Sequence, residues 1–199
     1  MIHGSLCYTA GTYSRPIHGD SMVMEQAFAY RNRARSVVIG IGANLGDPQE
    51  MVSRVLDELM TKPWLEGARA SSLYKSSPVG FVEQPDFVNA VVVGMSVLAP
   101  HIILEELQEM ESRAGRGEKR VFWGPRVLDL DLLVVGDESI SEDRLQLPHS
   151  QITKRRFVLE PLHELEPHWK HPLTGESIKS LMAELPEGDV VERIERAES

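Results

Sequence analysis

The stretch Trp123-Gly-Pro-Arg-Val-Leu-Asp-Leu-Asp-Leu-Leu-Val-Val-Gly136 places two aspartates, Asp129 and Asp131, in an otherwise apolar run. A segment so rich in Leu and Val is typical of a β-strand, whose side chains alternate between two faces. Asp129 and Asp131 therefore project from one face, roughly 6–7 Å apart along the strand. Because two carboxylates on an apolar strand cost free energy unless they are satisfied, two interpretations follow. Either two Mg²⁺ ions bridged by a polyphosphate bind there, or each Asp forms a salt bridge with a nearby Arg.

Composition limits the class of protein. The chain has 199 residues, of which 42% are hydrophobic and 26% charged, as in an ordinary soluble globular domain. Cys7 is the only cysteine, which excludes an internal disulfide and favours a reducing cytoplasm. No apolar run approaches the ~20 residues that span a bilayer. The net charge of −9 argues against general nucleic-acid binding, whereas the basic cluster between Arg113 and Arg126 favours a small anionic ligand.

Hydrophobic periodicity predicts the order strand–helix–strand–strand–helix–strand around this stretch. The expected strands are 37–42, 68–75, 87–97 and the strand of the two aspartates, with helices after Pro48 and Pro100. A hairpin over 136–147, helices near 162–165 and 177–185 and a short strand at 190–194 should follow. The order predicts an α+β ferredoxin-like sandwich with an antiparallel sheet, a βαββαβ core, a hairpin and C-terminal helices. Residues 1–35 show no period, so we expect a poorly ordered extension before a domain at 36–199.

Gly40, Gly42 and Gly46, between a strand and a helix, raise a competing possibility, the dinucleotide-binding Rossmann turn. Their spacing is G-x-G-x-x-x-G, which differs from that fingerprint. The acidic residue expected about 20 residues further on is also missing from 60–64. The Rossmann interpretation is therefore disfavoured.

Five motifs occur in a fixed order along the chain: Gly42-Ala-Asn-Leu-Gly46, Ser76-Ser-Pro-Val-Gly80, Gln84-Pro-Asp-Phe-Val-Asn-Ala90, Trp123-Gly-Pro-Arg-Val-Leu-Asp-Leu-Asp131 and Leu147-Pro-His149. With them the chain closely resembles the 6-hydroxymethyl-7,8-dihydropterin pyrophosphokinase family of folate biosynthesis, over about residues 36–175. The resemblance implies a kinase-type transferase that moves the β,γ-diphosphate of ATP to the pterin hydroxymethyl group and releases AMP. It implies two Mg²⁺ ions, ATP and the pterin as partners, no nucleic acid or membrane, and a cytoplasmic monomer.

Residue chemistry and the resemblance together give the candidate site. Arg116 and Arg126 carry planar forks of donors that suit phosphate, and Phe87 and Asn89 share a strand face that suits a flat heterocycle. By resemblance, the catalytic residues are Arg116, Arg126 and the metal ligands Asp129 and Asp131. ATP would bind Gln108, Glu111, Arg116, Trp123, Arg126, Leu132, Arg144, Gln146, His149 and Arg155. The pterin would bind Ser76, Val79, Phe87, Asn89 and Phe157.

Structural roles remain open for several of these residues. Leu132, Phe87 and Phe157 could be ordinary core residues, Arg144 a solvated charge, and His149 a histidine packed after a proline. Two other functions also remain open. One is a two-metal phosphodiesterase or nuclease that uses the same aspartates, and the other is a non-catalytic ferredoxin-like module that binds a small ligand or RNA.

Overall fold

The structure, a computed structural model, describes residues 33–78, 84–115, 126–186 and 190–195. Nearly all of the predicted N-terminal extension lies outside these ranges. The elements are β1 (Arg35–Ala43), α1 (Pro48–Met60), β2 (Glu66–Ala70), β3 (Leu73–Ser76), β4 (Phe87–Ser96), α2 (Pro100–Arg113), β5 (Asp129–Val135), β6 (Ile140–Ser141), β7 (Gln146–Leu147), a 3-10 turn (Ile152–Lys154), α3 (Arg156–Leu165), α4 (Ile178–Ala183) and β8 (Val191–Ile194).

The main sheet has the strand order β5-β1-β4-β3-β8, with β2 also paired to β4. Every pairing within it is antiparallel. With β2 and β3 counted as one interrupted strand, this is the order of a ferredoxin-like sheet, as predicted. The single strand expected at 68–75 is wrong in detail, because it is divided at Ser71. The Ser71 hydroxyl accepts a hydrogen bond from Val91 N at 3.0 Å and donates to Ser72 O at 2.7 Å. Only one backbone bond of the regular pair remains there, from Ser71 N to Val91 O at 2.9 Å.

Alternation along β1 separates two hydrophobic cores, one on each face of the sheet. Val37, Ile39 and Ile41 pack with α1 and α2 on one face. Val38 packs with α3 and α4 on the other face. Because β1 is central, its period of two fixes which residues of the sheet face each helix layer.

The helix predicted after Pro48 is confirmed as α1. The Asp47 carboxylate accepts a hydrogen bond from Glu50 N at 3.0 Å, and Pro48 occupies the first turn. Buried residues then recur at helical spacing at Val52, Val55 and Leu59. In the ranges that the structure describes, no helix combines the length and the apolarity that crossing a membrane requires.

Helix α3 is longer than predicted, since it begins at Arg156 rather than near Leu162. The Glu164 carboxylate attaches it to the sheet by accepting bonds from Ser72 N at 3.1 Å and from the Tyr74 hydroxyl at 2.8 Å. Burial, and then this hydrogen bond to Glu164, raise the pKa of Tyr74, so the hydroxyl remains a donor at neutral pH. The position of α3 over the sheet is therefore fixed by polar contacts as well as by core packing.

Adjacent isoleucines on α2 test the assignment of its buried face. Ile103 is 0% exposed, whereas Ile102 is 44% exposed. Ile103→Ala should lower the free energy of unfolding by about 2–5 kcal/mol, because it leaves a cavity in the core. The matched variant Ile102→Ala should change it by less than about 0.5 kcal/mol, since surface substitutions rarely do more. Urea denaturation of both variants measures the difference, and similar losses would show that the helix is rotated relative to this structure.

Candidate active site

A cavity of about 340 Å³ opens on the face of the sheet that carries α3. The central strands β1, β4 and β5 form its floor, and the start of α3 forms one wall. Its lining residues include glycines, amides, aromatic rings and both aspartates: Gly40, Ile41, Gly42, Ser76, Ser77, Gln84, Phe87, Asn89, Ala90, Arg126, Asp129, Asp131, His149, Arg155, Phe157 and Val158.

Two glycines of β1 leave room for this cavity. A Cβ atom at Gly42 would lie 3.2 Å from Asn89 Oδ1, and one at Gly40 would lie 3.2 Å from Leu133 Cδ1. Both distances are tighter than ordinary van der Waals contact, so a side chain at either position would push against its neighbour. Two of the three glycines that suggested a dinucleotide-binding turn, Gly40 and Gly42, thus line the floor of the cavity instead.

The sheet register places three site residues in one row. Gly42 pairs with Asn89 on one side and with Asp129 on the other. Two strand spacings separate the outer members of this row, so their backbones are about 10 Å apart. Gly40 pairs with Asp131 one step further along β1 and β5. The cavity therefore has an amide at one end and a pair of carboxylates at the other.

The amide end is built for a flat, polar ring. Asn89 is 4% exposed, and its Nδ2 donates to Ser76 Oγ at 2.9 Å and to Tyr74 O at 3.4 Å. These bonds hold the amide in one orientation beside Phe87. Phe157, the second residue of α3, adds another aromatic ring, and the Arg155 guanidinium carbon lies 5.6 Å from the Phe157 ring centroid.

Each aspartate at the other end has an arginine partner. Arg126 forms a salt bridge with Asp129, and Arg155 lies 3.4 Å from the Asp131 carboxylate. Burial raises the pKa of Asp131, and the negative charge of Asp129 raises it further. Burial lowers the pKa of His149, against the opposing charge of Asp131, so its imidazole is neutral at pH 7.

The aspartate pair fits magnesium of the kind that binds together with a substrate. The described part of the chain holds no cluster of three or more His, Cys, Asp and Glu side chains suited to a metal ion. Magnesium often binds proteins through one or two carboxylates and takes its other ligands from phosphate and water. Burial first, and then the negative charge of Asp129, raise the pKa of Asp131, and a divalent cation bound there would favour the ionised carboxylate. Asp129 and Asp131 therefore have the donor chemistry for such a site.

Other predicted site residues lie away from this cavity. Gln108 and Arg144 line a second cavity beside the hydrogen bond between His101 and Glu142, and Gln146 lines a third, which His149 also borders. Leu132 is buried in the core. The nucleotide roles of these residues stay predictions. Arg116, Trp123 and Val79 lie outside the described residues.

Glu111 is placed beneath the aspartate strand. It is 3% exposed, and its carboxylate accepts a hydrogen bond from Leu130 N at 2.8 Å. Leu130 lies between the two aspartates, so this bond holds the backbone that carries them. The sequence offered a signal for this position, because Glu111 is four residues after the buried Leu107 on the same helix face.

Asn44 and Gln84 were given no role from the sequence, although both lie in the quoted motifs. Gln84 lines the cavity. Asn44 is 2% exposed, and its amide contacts Gln84, Pro85 and Arg126. The sequence did offer a signal for Asn44, because it lies between a strand that contains glycines and a capped helix. An amide buried at such a place needs hydrogen-bond partners.

Comparisons with known proteins agree with this fold and identify a family. Residues 38–167 match the family model described as 7,8-dihydro-6-hydroxymethylpterin-pyrophosphokinase. A 2-amino-4-hydroxy-6-hydroxymethyldihydropteridine pyrophosphokinase of Pseudomonas aeruginosa is 38% identical over 75% of this chain and 91% of its own length. The enzyme of that name from Haemophilus influenzae is 41% identical over 64% of this chain and 79% of its own length.

A solved structure supports the fold independently. The wild-type HPPK-DHPS of Plasmodium falciparum, crystallised with pteroate, aligns with a TM-score of 0.59 at 16% identity. The alignment covers 76% of this chain and 42% of the other, so this chain corresponds to less than half of that protein.

Together these likenesses place the chain among the ATP-dependent diphosphotransferases. More particularly, the chain belongs to the 7,8-dihydro-6-hydroxymethylpterin-pyrophosphokinase family, as its motifs predicted.

The raised pKa of Asp131 predicts how stability varies with pH in the ligand-free protein. A carboxyl whose pKa is higher in the folded state binds more protons there than in the unfolded state. Folding stability therefore falls as pH rises from the ordinary carboxyl pKa through the raised value. Asp131→Asn, which cannot ionise, should melt at a higher temperature than wild type near neutral pH, and this gain should shrink toward about pH 4.

Thermal melts in EDTA, without nucleotide, measure this difference. Asp137→Asn, in the exposed turn after β5, is the matched control and should show no pH-dependent gain. If the melting temperatures of wild type and Asp131→Asn differ by the same amount at every pH, the pKa of Asp131 is not raised in the folded protein and the prediction is wrong.

Proposed function

We propose that this cavity carries out the reaction of the family, in which the β,γ-diphosphate of ATP passes to the hydroxymethyl group of 6-hydroxymethyl-7,8-dihydropterin in folate synthesis. The observation that carries this assignment is the row Asn89–Gly42–Asp129 across three strands. It separates a site for a flat ring from a site for polyphosphate by about 10 Å. The pterin hydroxymethyl group would lie between them, near the β-phosphorus of ATP.

The pterin would occupy the amide end. Ser76 already orients the Asn89 amide, so the amide can use its remaining donor and acceptor positions to form hydrogen bonds with the polar edge of the ring. Phe87 and Phe157 offer aromatic faces for stacking. The sheet and α3 hold these groups in place, so they would position the hydroxyl group of the pterin rather than activate it. Such positioning suits a reaction that depends on the alignment of its two substrates.

ATP would extend its phosphates to the carboxylate end. Arg126 and Arg155 line the cavity there and can donate to phosphate oxygens, and neutral His149 can donate one further N–H. Asp129 and Asp131 would hold magnesium, which we propose as two ions. Bound there, magnesium would neutralise phosphate oxygens and polarise the attacked phosphorus.

The boundaries and setting of the domain are part of the same proposal. We take 36–199 as the catalytic domain, although Arg35 belongs to it structurally. Arg35 is the first residue of β1, and its guanidinium donates to Leu98 O at 2.6 Å and to Glu138 at 2.5 Å. A monomeric state and a cytoplasmic location stay predictions from the sequence.

Release of AMP tests the proposed reaction directly. AMP should form only when ATP, the hydroxymethyl-dihydropterin and Mg²⁺ are all present, and EDTA should abolish it. Asp131→Ala should lower turnover by about 10³-fold or more, because it removes a proposed metal ligand, whereas Asp137→Ala should keep it. AMP formation without the pterin would instead identify a hydrolase that uses the same aspartates.

Substitution of Phe157 should affect the affinities for the two substrates differently. Phe157→Ala should weaken pterin binding by about tenfold or more through lost stacking, and ATP binding by much less. Leu165→Ala is a matched control, because Leu165 lies on the same helix and packs against the same core but does not line the cavity. Calorimetry with each substrate alone measures both affinities. Equal weakening of both ligands, or the same result for Leu165→Ala, would identify Phe157 as a core residue.

A further inference from the structure

Asn44 joins the two ends of the cavity through one buried amide. Its Nδ2 donates to Pro85 O at 3.1 Å and to Gln84 Oε1 at 3.2 Å. Its Oδ1 accepts from Arg126 N at 2.7 Å. The backbone adds a fourth hydrogen bond, because Asn44 N donates to Arg126 O at 3.0 Å.

The orientation of this amide is determined by its partners. Arg126 N can only donate and Pro85 O can only accept, so the oxygen and nitrogen of Asn44 cannot exchange places without losing both bonds. The side chain is 2% exposed, which leaves water little access to replace a lost partner. Asn44 is thus a fixed link between two segments far apart in sequence.

Each segment leads directly to one end of the cavity. Pro85 is two residues before Phe87, at the proposed pterin end. Arg126 pairs with Asp129 at the proposed phosphate end. Gln84 and Arg126 line the cavity, whereas Asn44 is absent from its described lining and lies behind it.

We propose that Asn44 is a positioning residue that sets the distance and angle between the pterin end and the phosphate end of the cavity. This inference rests on the proposed function. Each substrate keeps its own contacts when Asn44 is lost, because none of them is made by Asn44. The alignment of the two substrates with each other is what changes, and transfer rates are sensitive to misplacements of about 1 Å.

A separation of turnover from affinity is the signature of this role. Asn44→Ala should lower kcat by about 10–100-fold, while the affinity for pterin alone, and for an unreactive ATP analogue with Mg²⁺ alone, should each stay within about 3-fold. A residue that served only stability would instead lower the melting temperature and leave kcat per folded molecule unchanged.

Ser71→Ala is the matched control. Ser71 is 7% exposed, and its hydroxyl also bonds to two backbone groups, but it does not line the cavity or contact either segment. It should lower the melting temperature while keeping kcat within about 3-fold of wild type. Should Asn44→Ala fail to fold, Asn44→Asp retains an acceptor for Arg126 N and, when ionised, loses the donation to Pro85 O, so kcat should still fall.

The experiment measures AMP formation, calorimetric affinities and thermal melts for wild type and these variants. If wild type forms AMP and Asn44→Ala or Asn44→Asp has a kcat near that of wild type, the positioning role is overturned and the proposed function is left intact. Parallel losses of kcat and of both affinities would likewise overturn it, since they indicate general damage. Absence of AMP from wild type would overturn both proposals together.

Discussion

The antiparallel register of β1 with β4 and β5 is the constraint on which the site depends. Gly42 can separate Asn89 from Asp129 only when it pairs with both. A slip of one residue would turn either side chain to the opposite face of the sheet, into the core beneath α1 and α2. Val88 and Leu130, on the same strands, oppose such a slip, because it would turn them out of that core and onto the face of the cavity. Core packing on one face therefore maintains the site on the other.

Much of this arrangement could be predicted, because it follows from local periods. Alternation placed Phe87 and Asn89 on one face, and likewise the two aspartates, and the order of elements gave the ferredoxin-like sheet. The row across Gly42 could not be derived in the same way, since it depends on pairing between distant strands. Helix α3 was underestimated for a physical reason. Pro161 normally ends or kinks a helix, and here the burial of Val158, Leu159 and Leu162 outweighs that preference.

Of the two interpretations of the aspartates, the structure shows the salt bridges, whereas the metal ligation stays a proposal that these salt bridges do not exclude. Arg126 and Arg155 pair with Asp129 and Asp131, which are half-buried. These ion pairs reduce the cost of placing two carboxylates side by side. The sequence could not decide between the interpretations because Arg155 is 24 residues from Asp131 and reaches it only through the start of α3.

Under the proposed function, the same four side chains can exchange partners without building up charge. Two carboxylates and two guanidiniums form a locally neutral group in the free protein. ATP with its magnesium would give the guanidiniums phosphate oxygens to bind and would give the carboxylates a cation, so each side chain would replace one opposite charge with another. The charges of the site are already paired with one another, so binding would not need to desolvate an uncompensated charge. Glu111 and Asn44 hold the backbones of Leu130 and Arg126 during this exchange, so the side chains can change partners while the strand and its neighbouring segment remain in place.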